Sequence, residues 1–149
     1  MAEALAAVGS IGAIVNIIDA TSKSISRMND LHAQWKDADI TVLSLASQLS
    51  AFRAALRRIQ EWLDGEHSAT HHQLVMDLDE TLSFCSILAN KIEALSAGWE
   101  ALIQDRKSTA TRWKVILGSK GVDTILVLVE RQTNALTLLL TACHWWAPF

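Results

Sequence analysis

Three histidines crowd one short stretch: His67, His71 and His72. On a helix, His67 and His71 stand four residues apart and share a face, the spacing from which two imidazoles hold zinc. Residue 68 is serine, however, so the His-Glu-x-x-His pattern is missing, and only Glu66 stands nearby as a further ligand. An exposed helix start is the simpler reading. Gly118-Ser119-Lys120-Gly121 shares letters with a phosphate loop but lacks the preceding strand and the Walker spacing. Asp77, Asp79 and Glu80 form an acidic cluster with no apolar surroundings to raise a carboxyl pKa, which reads as a solvated face. Cys85 and Cys143 fall inside apolar helical runs and read as buried thiols rather than a bridge. Neither a nucleophile elbow nor a Ser/His/Asp arrangement is visible. The sequence therefore predicts no enzyme: no catalytic residue, cofactor, metal or small-molecule substrate.

What remains is a chain built for packing. Its 149 residues suit one domain spanning 1–149, long enough to bury roughly two-thirds of its unfolded surface without a metal or disulfide. Half the residues are apolar and 19% are charged, a globular composition. The only proline is Pro148 and there are six glycines, so long helices can run unbroken. Residues 1–105 carry 7 basic and 14 acidic groups, and residues 106–149 carry 6 basic and 2 acidic ones. The acidic majority argues against nucleic acid as a partner. The start carries Glu3 and no basic region, so a secretory signal is not expected. No segment reaches the ~18 uninterrupted apolar residues of a membrane span.

Helical periodicity organises the chain. From Met1 to about Gln34, Leu5, Val8, Ile11, Val15, Ile18, Ser22, Ile25 and Met28 recur at three- and four-residue steps. Between Ala4 and Ile18 the remaining faces are apolar too, with only Ser10 and Asn16 polar, and a helix apolar all round must be covered by neighbours or by lipid. From about Asp37 to Leu63, Val42, Leu45, Leu49, Phe52, Leu56, Ile59 and Leu63 keep a strict heptad seam, with Arg53, Arg57 and Arg58 off it. Asp64-Gly65-Glu66 should end that helix. A third helix spans about Ser68 to Gln104 through Leu74, Leu78, Leu82, Cys85, Leu88, Ile92, Leu95, Trp99 and Leu102, with Gly98 expected to loosen its end. Thr109 to Leu117 reads as a short helix and Gly118 to Gly121 as a break. Val122 to about Trp146 is the last helix, through Ile125, Leu126, Val129, Thr133, Leu136 and Leu140. No alternating strand pattern competes. The expected fold is all-α: an antiparallel four-helix bundle with a short extra helix before the last long one.

The opening Met1-Ala2-Glu3-Ala4-Leu5-Ala6-Ala7-Val8-Gly9-Ser10-Ile11, followed by apolar and then polar helix, resembles the HeLo-like N-terminal domains of fungal STAND/NLR-type proteins. Trp113-Lys114, the short basic break, Glu130-Arg131 and the run Asn134-Ala135-Leu136-Thr137-Leu138-Leu139-Leu140 look like the closing part of those domains. The resemblance covers nearly the whole chain and rests on helical pattern and a few anchor positions. It implies a helical bundle acting as a cell-death or incompatibility effector, in which oligomerisation frees the first helix to attack a membrane. In that family a NACHT or NB-ARC ATPase follows the domain; here the sequence reaches Phe149 with no ATPase, repeat region or prion-like tail expected after it.

Three groups of residues are candidates for function. Leu5, Val8, Gly9, Ile11, Gly12, Ala13, Ile14, Val15, Ile17 and Ile18 would insert in a membrane or pack between copies, Gly9 and Ala13 allowing close helix approach. The charge-free stretch is only roughly 22 Å long against a bilayer core of about 30 Å, and a central core helix is the competing reading. Arg106, Lys107, Arg112, Lys114 and Lys120, around Trp113, suit an anionic membrane surface or else a solvated loop. Arg53, Arg57 and Arg58, with Trp145 and Trp146, would contact a protein partner, because adjacent tryptophans on a helix cannot both face one core. The expected partners are another copy, another helical domain, or an anionic membrane. The expected location is cytoplasmic and peripheral at a membrane. A soluble adaptor with a permanently buried first helix is the alternative.

Overall fold

The computed structural model describes the backbone of residues 2–34, 40–65, 72–104 and 120–145, and the side chains of 12–33, 40–65, 72–101 and 121–145. Four helices account for them: α1 (Ala2–Gln34), α2 (Ile40–Asp64), α3 (His72–Gln104) and α4 (Lys120–Trp145). There is no strand among the described residues. The expected short helix at 109–117 lies outside them.

The helix with the cleanest pattern behaves most simply. All seven seam residues of α2, from Val42 to Leu63, are buried. Past its last residue the Gly65 amide donates to the Trp62 carbonyl at 3.2 Å, occupying an acceptor the helix end leaves over. Two local expectations change. Helix α3 runs straight through Gly98 to Gln104, and α4 begins at Lys120, so Lys120 and Gly121 belong to the helix rather than to the break before it.

Helix α1 turns a different face inward from the one its periodicity suggested. Val15 is 49% exposed, and Ile18 and Ser22 are half-buried. The buried line is Ile14, Ile17, Thr21, Ser24, Met28 and Leu31, stepping 3, 4, 3, 4, 3, with Ala20 and Ile25 beside it. Two hydroxyls sit in that line without cost. Thr21 Oγ1 donates to the Ile17 carbonyl at 2.7 Å and Ser24 Oγ to the Ala20 carbonyl at 3.0 Å, so neither is left unpaired in the core.

Helix α1 lies against α2 and α3, and α4 also lies against α2 and α3; α1/α4 and α2/α3 stand across the diagonals. Connections of five and seven residues, 35–39 and 65–71, reach at most about 25 Å, whereas α1 and α3 are each about 50 Å long. Successive helices from α1 to α3 must therefore reverse direction, which makes the neighbours α1 and α3 run the same way. Arg27, near the end of α1, accordingly meets the last third of α3. Its Nη1 donates to the Glu93 carbonyl at 3.3 Å and to Ser96 Oγ at 3.5 Å, and its Nε pairs with Glu100 at 3.3 Å. One core fills the bundle, with Phe52, Met28, Leu45, Leu56, Leu82, Ile92 and Leu136 fully enclosed.

Candidate functional site

The apolar N-terminal residues divide by position. Leu5, Val8, Gly9 and Ile11 lie on the α1 backbone, outside the described side chains. Of the others, Ile14 and Ile17 are core residues, Ala13 and Ile18 pack partly against the core, and Gly12 and Val15 face outward. A Cβ built on Gly12 would meet nothing within 4 Å among the described residues, so none of the described helices needs that glycine for close approach. From residue 12 onward α1 is an ordinary one-sided core helix. Its apolar character at 12–18 is half used by the fold.

The arginines of α2 do not act together. Arg53 is half-buried and its Nη1 donates to Ser22 Oγ of α1 at 3.1 Å, so it stitches the α1–α2 seam rather than facing a partner. Arg57 and Arg58 are exposed. The difference is tertiary: only the placement of α1 brings a hydroxyl from 31 residues away to Arg53. Of the expected basic surface, Arg106, Lys107, Arg112 and Lys114 lie outside the described residues, and Lys120 is placed only as the opening residue of α4.

Helix α4 is apolar and poorly covered. Among the described residues it is the one helix long and apolar enough to cross a membrane, and just 22% of that apolar window is buried. Ile125, Val129, Leu136, Leu140 and Cys143 make its inner line. Its outer line holds Val127, Leu138 at 71% exposure and Trp145 at 84%. Trp145 is the surface tryptophan expected of the adjacent pair; Trp146 lies outside the described residues. Thr133, Thr137 and Thr141 each donate at 2.8 Å to the carbonyl four residues back, so their hydroxyl protons are satisfied within the helix.

A second exposed apolar set, on α3, escaped the sequence reading. Met76, Phe84 and Ile87 are all outward, Ile87 at 67% exposure. In the sequence they merge with the core leucines of the same helix. Only the offset of one or two positions from Val75, Leu82, Cys85 and Leu88 marks them as a separate face, a signal available from a helical wheel.

The chemistry-bearing groups are quiet. Both cysteines are free and buried. Burial pushes the Cys85 thiol up to about 12 and the Cys143 thiol to about 11, so neither is a nucleophile near neutral pH. Cys85 Sγ donates weakly to Gln132 Oε1 across the α3–α4 contact, at 3.9 Å. No group of three or more His, Cys, Asp or Glu suited to a metal occurs among the described residues. His72 opens α3 on the surface, while His67 and His71 lie outside the described residues. Of the acidic cluster, Asp77 and Glu80 are exposed while Asp79 is half-buried, so the solvated face holds for two of its three members.

Compared with protein-family models, with curated proteins and with solved structures, the chain has no match in any of the three.

Proposed function

We propose that this chain is a non-enzymatic signalling or effector domain that acts by self-association through its outward helical faces, of the fungal NLR cell-death type that its sequence resembles. One observation carries the reading. The bundle closes a full core and still leaves Met76, Phe84 and Ile87 on α3, and Val127, Leu138 and Trp145 on α4, exposed in lines along the helices. Scattered single apolar residues on a surface need no explanation, but aligned ones favour a binding face. The proposed location is the cytoplasm with peripheral contact to a membrane, and the apolar length of α4 supports the second half of that statement.

A soluble adaptor without membrane activity is the second reading. It is favoured by Ile14 and Ile17, which tie the first helix into the core. The two part in one experiment. Full-length protein and a variant lacking residues 2–11 are compared by light scattering over a concentration series and by dye release from phosphatidylserine-containing vesicles. That deletion spares Ile14 and everything after it. The effector reading expects mass to grow with concentration, and release that disappears with the deletion. Association without release favours the adaptor. A monomer at every concentration that leaves vesicles intact rejects the proposal.

A further inference from the structure

One line along α3 is exposed from end to end. Gln73, Asp77, Glu80, Phe84, Ile87, Lys91, Ala94 and Gly98 step 4, 3, 4, 3, 4, 3, 4, and every one of them faces out. Such a 3.5-residue rhythm is the seam of a helix pair, yet none of the other three described helices lies on it. The residues along it are also ordered. Acidic groups occupy the first half, a bulky apolar pair the middle, and a base and two small residues the second half.

We propose that this seam is the contact between two copies of the chain, packed antiparallel about a twofold axis that crosses α3 between Cys85 and Ser86. This deepens the self-association reading above and rests on it. In a twofold contact, residue i of one copy meets residue j of the other and the reverse. About that axis, Glu80 faces the second copy's Lys91, and Phe84 faces its Ile87. Asp77 meets Ala94, and Gln73 meets Gly98. Two Glu80–Lys91 ion pairs then bracket a centre made of two phenylalanines and two isoleucines. Opposite charges meet at Glu80–Lys91, apolar side chains meet at the centre, and the outer polar residues Asp77 and Gln73 fall over the small Ala94 and Gly98.

Three observations support a second copy as the occupant. Glu80 and Lys91 form no ion pair among the described residues, and eleven residues of helix put them about 16 Å apart along the axis, too far to meet on their own strand of chain. Gly98 sits inside a helix, where glycine costs up to about 1 kcal/mol against alanine, and a Cβ there would meet nothing within 4 Å. Among the described residues nothing packs against it, whereas the seam places a partner's glutamine over it. A parallel pairing would instead set Glu80 against Glu80 and Lys91 against Lys91, so the charges select the antiparallel arrangement. One helix pair lies near the low end of the ~1,200–2,000 Å² buried by stable interfaces, so the dimer is expected to be weak, with a dissociation constant around micromolar or above.

Charge exchange tests the pairing. Glu80→Lys, Lys91→Glu, the double variant Glu80→Lys/Lys91→Glu and an equimolar mixture of the two single variants are compared with the unaltered chain by sedimentation velocity over a concentration series. All the altered positions are exposed and Glu and Lys have similar helix propensity, so the fold should hold, with far-ultraviolet circular dichroism as the check. Each single variant should weaken association about tenfold or more by facing like charges. The double variant and the mixture should both recover it, the mixture because one variant then supplies two lysines and the other two glutamates. If the unaltered chain associates and the single variants match it, or if neither the double variant nor the mixture recovers, the α3 seam is wrong while self-association stands by another face. If the unaltered chain stays monomeric throughout, both the seam and the self-association reading fall.

Discussion

Two neighbouring residues of α1 should respond very differently to the same truncation. Ile14 is fully enclosed, at 0% exposure, and Val15 is 49% exposed. Replacing Ile14 by alanine removes three buried carbons and leaves a cavity among core neighbours, which costs about 3 kcal/mol within the range of roughly 2–5 for such changes. Replacing Val15 by alanine removes two carbons at about 0.8 kcal/mol each when fully buried, of which only about half is realised at this position. Relief of the valine's restricted rotamers in a helix then returns up to about 0.6 kcal/mol. The net cost at Val15 is below about 0.5 kcal/mol. Urea unfolding followed by circular dichroism measures both. With a slope of about 2 kcal/mol per molar, Ile14→Ala lowers the midpoint by about 1.5 M and Val15→Ala leaves it nearly unchanged. Equal shifts, or a larger loss at Val15, would refute the inward face assigned to α1. A silent Ile14→Ala would show that the first helix stands off the bundle in the resting protein, and would revive membrane insertion as its primary role.

The Arg27 clamp between α1 and α3 should matter mainly through its hydrogen bond to the Glu93 carbonyl. Arg27→Met is expected to cost about 1.5–2 kcal/mol in urea unfolding, whereas Glu100→Gln, whose carboxylate is about half exposed, should cost less than about 1 kcal/mol. The two thiols should resist a disulfide-exchange reagent at pH 8 in the native state and react together on unfolding, because burial holds both above their ordinary value of 9.0. The folded chain keeps these protons more tightly than the unfolded one. Their contribution to stability is therefore whole below about pH 9 and is lost as pH rises, towards about 11 for Cys143 and about 12 for Cys85, which chemical denaturation from pH 9 upward would record.

The sequence by itself determined the all-helical class and the interior of α2. Its heptad has good contrast: apart from Leu43 and Trp62, the positions between its seven large apolar residues are polar or small, so one face was favoured to turn inward, and all seven are buried. The two cysteines were legible for the same reason, since each lies in line with core leucines. A surface tryptophan at the end of α4 followed from helix geometry alone, because neighbouring positions point about 100° apart.

Tertiary structure decided the rest, wherever that contrast was missing. At 12–18 apolar residues surround α1, so several faces fitted the periodicity. The choice fell to packing against α2 and α3, helped by Thr21 and Ser24, whose hydroxyls return to their own backbone and so can be buried. Arg53 was indistinguishable from Arg57 and Arg58 until α1 brought Ser22 to it. Phe84 and Ile87 looked like core because apolar residues say only that they seek cover. Which of them the chain covers, and which it leaves for something else, depends on where the neighbouring helices stand, and that is a property of the bundle rather than of any one helix.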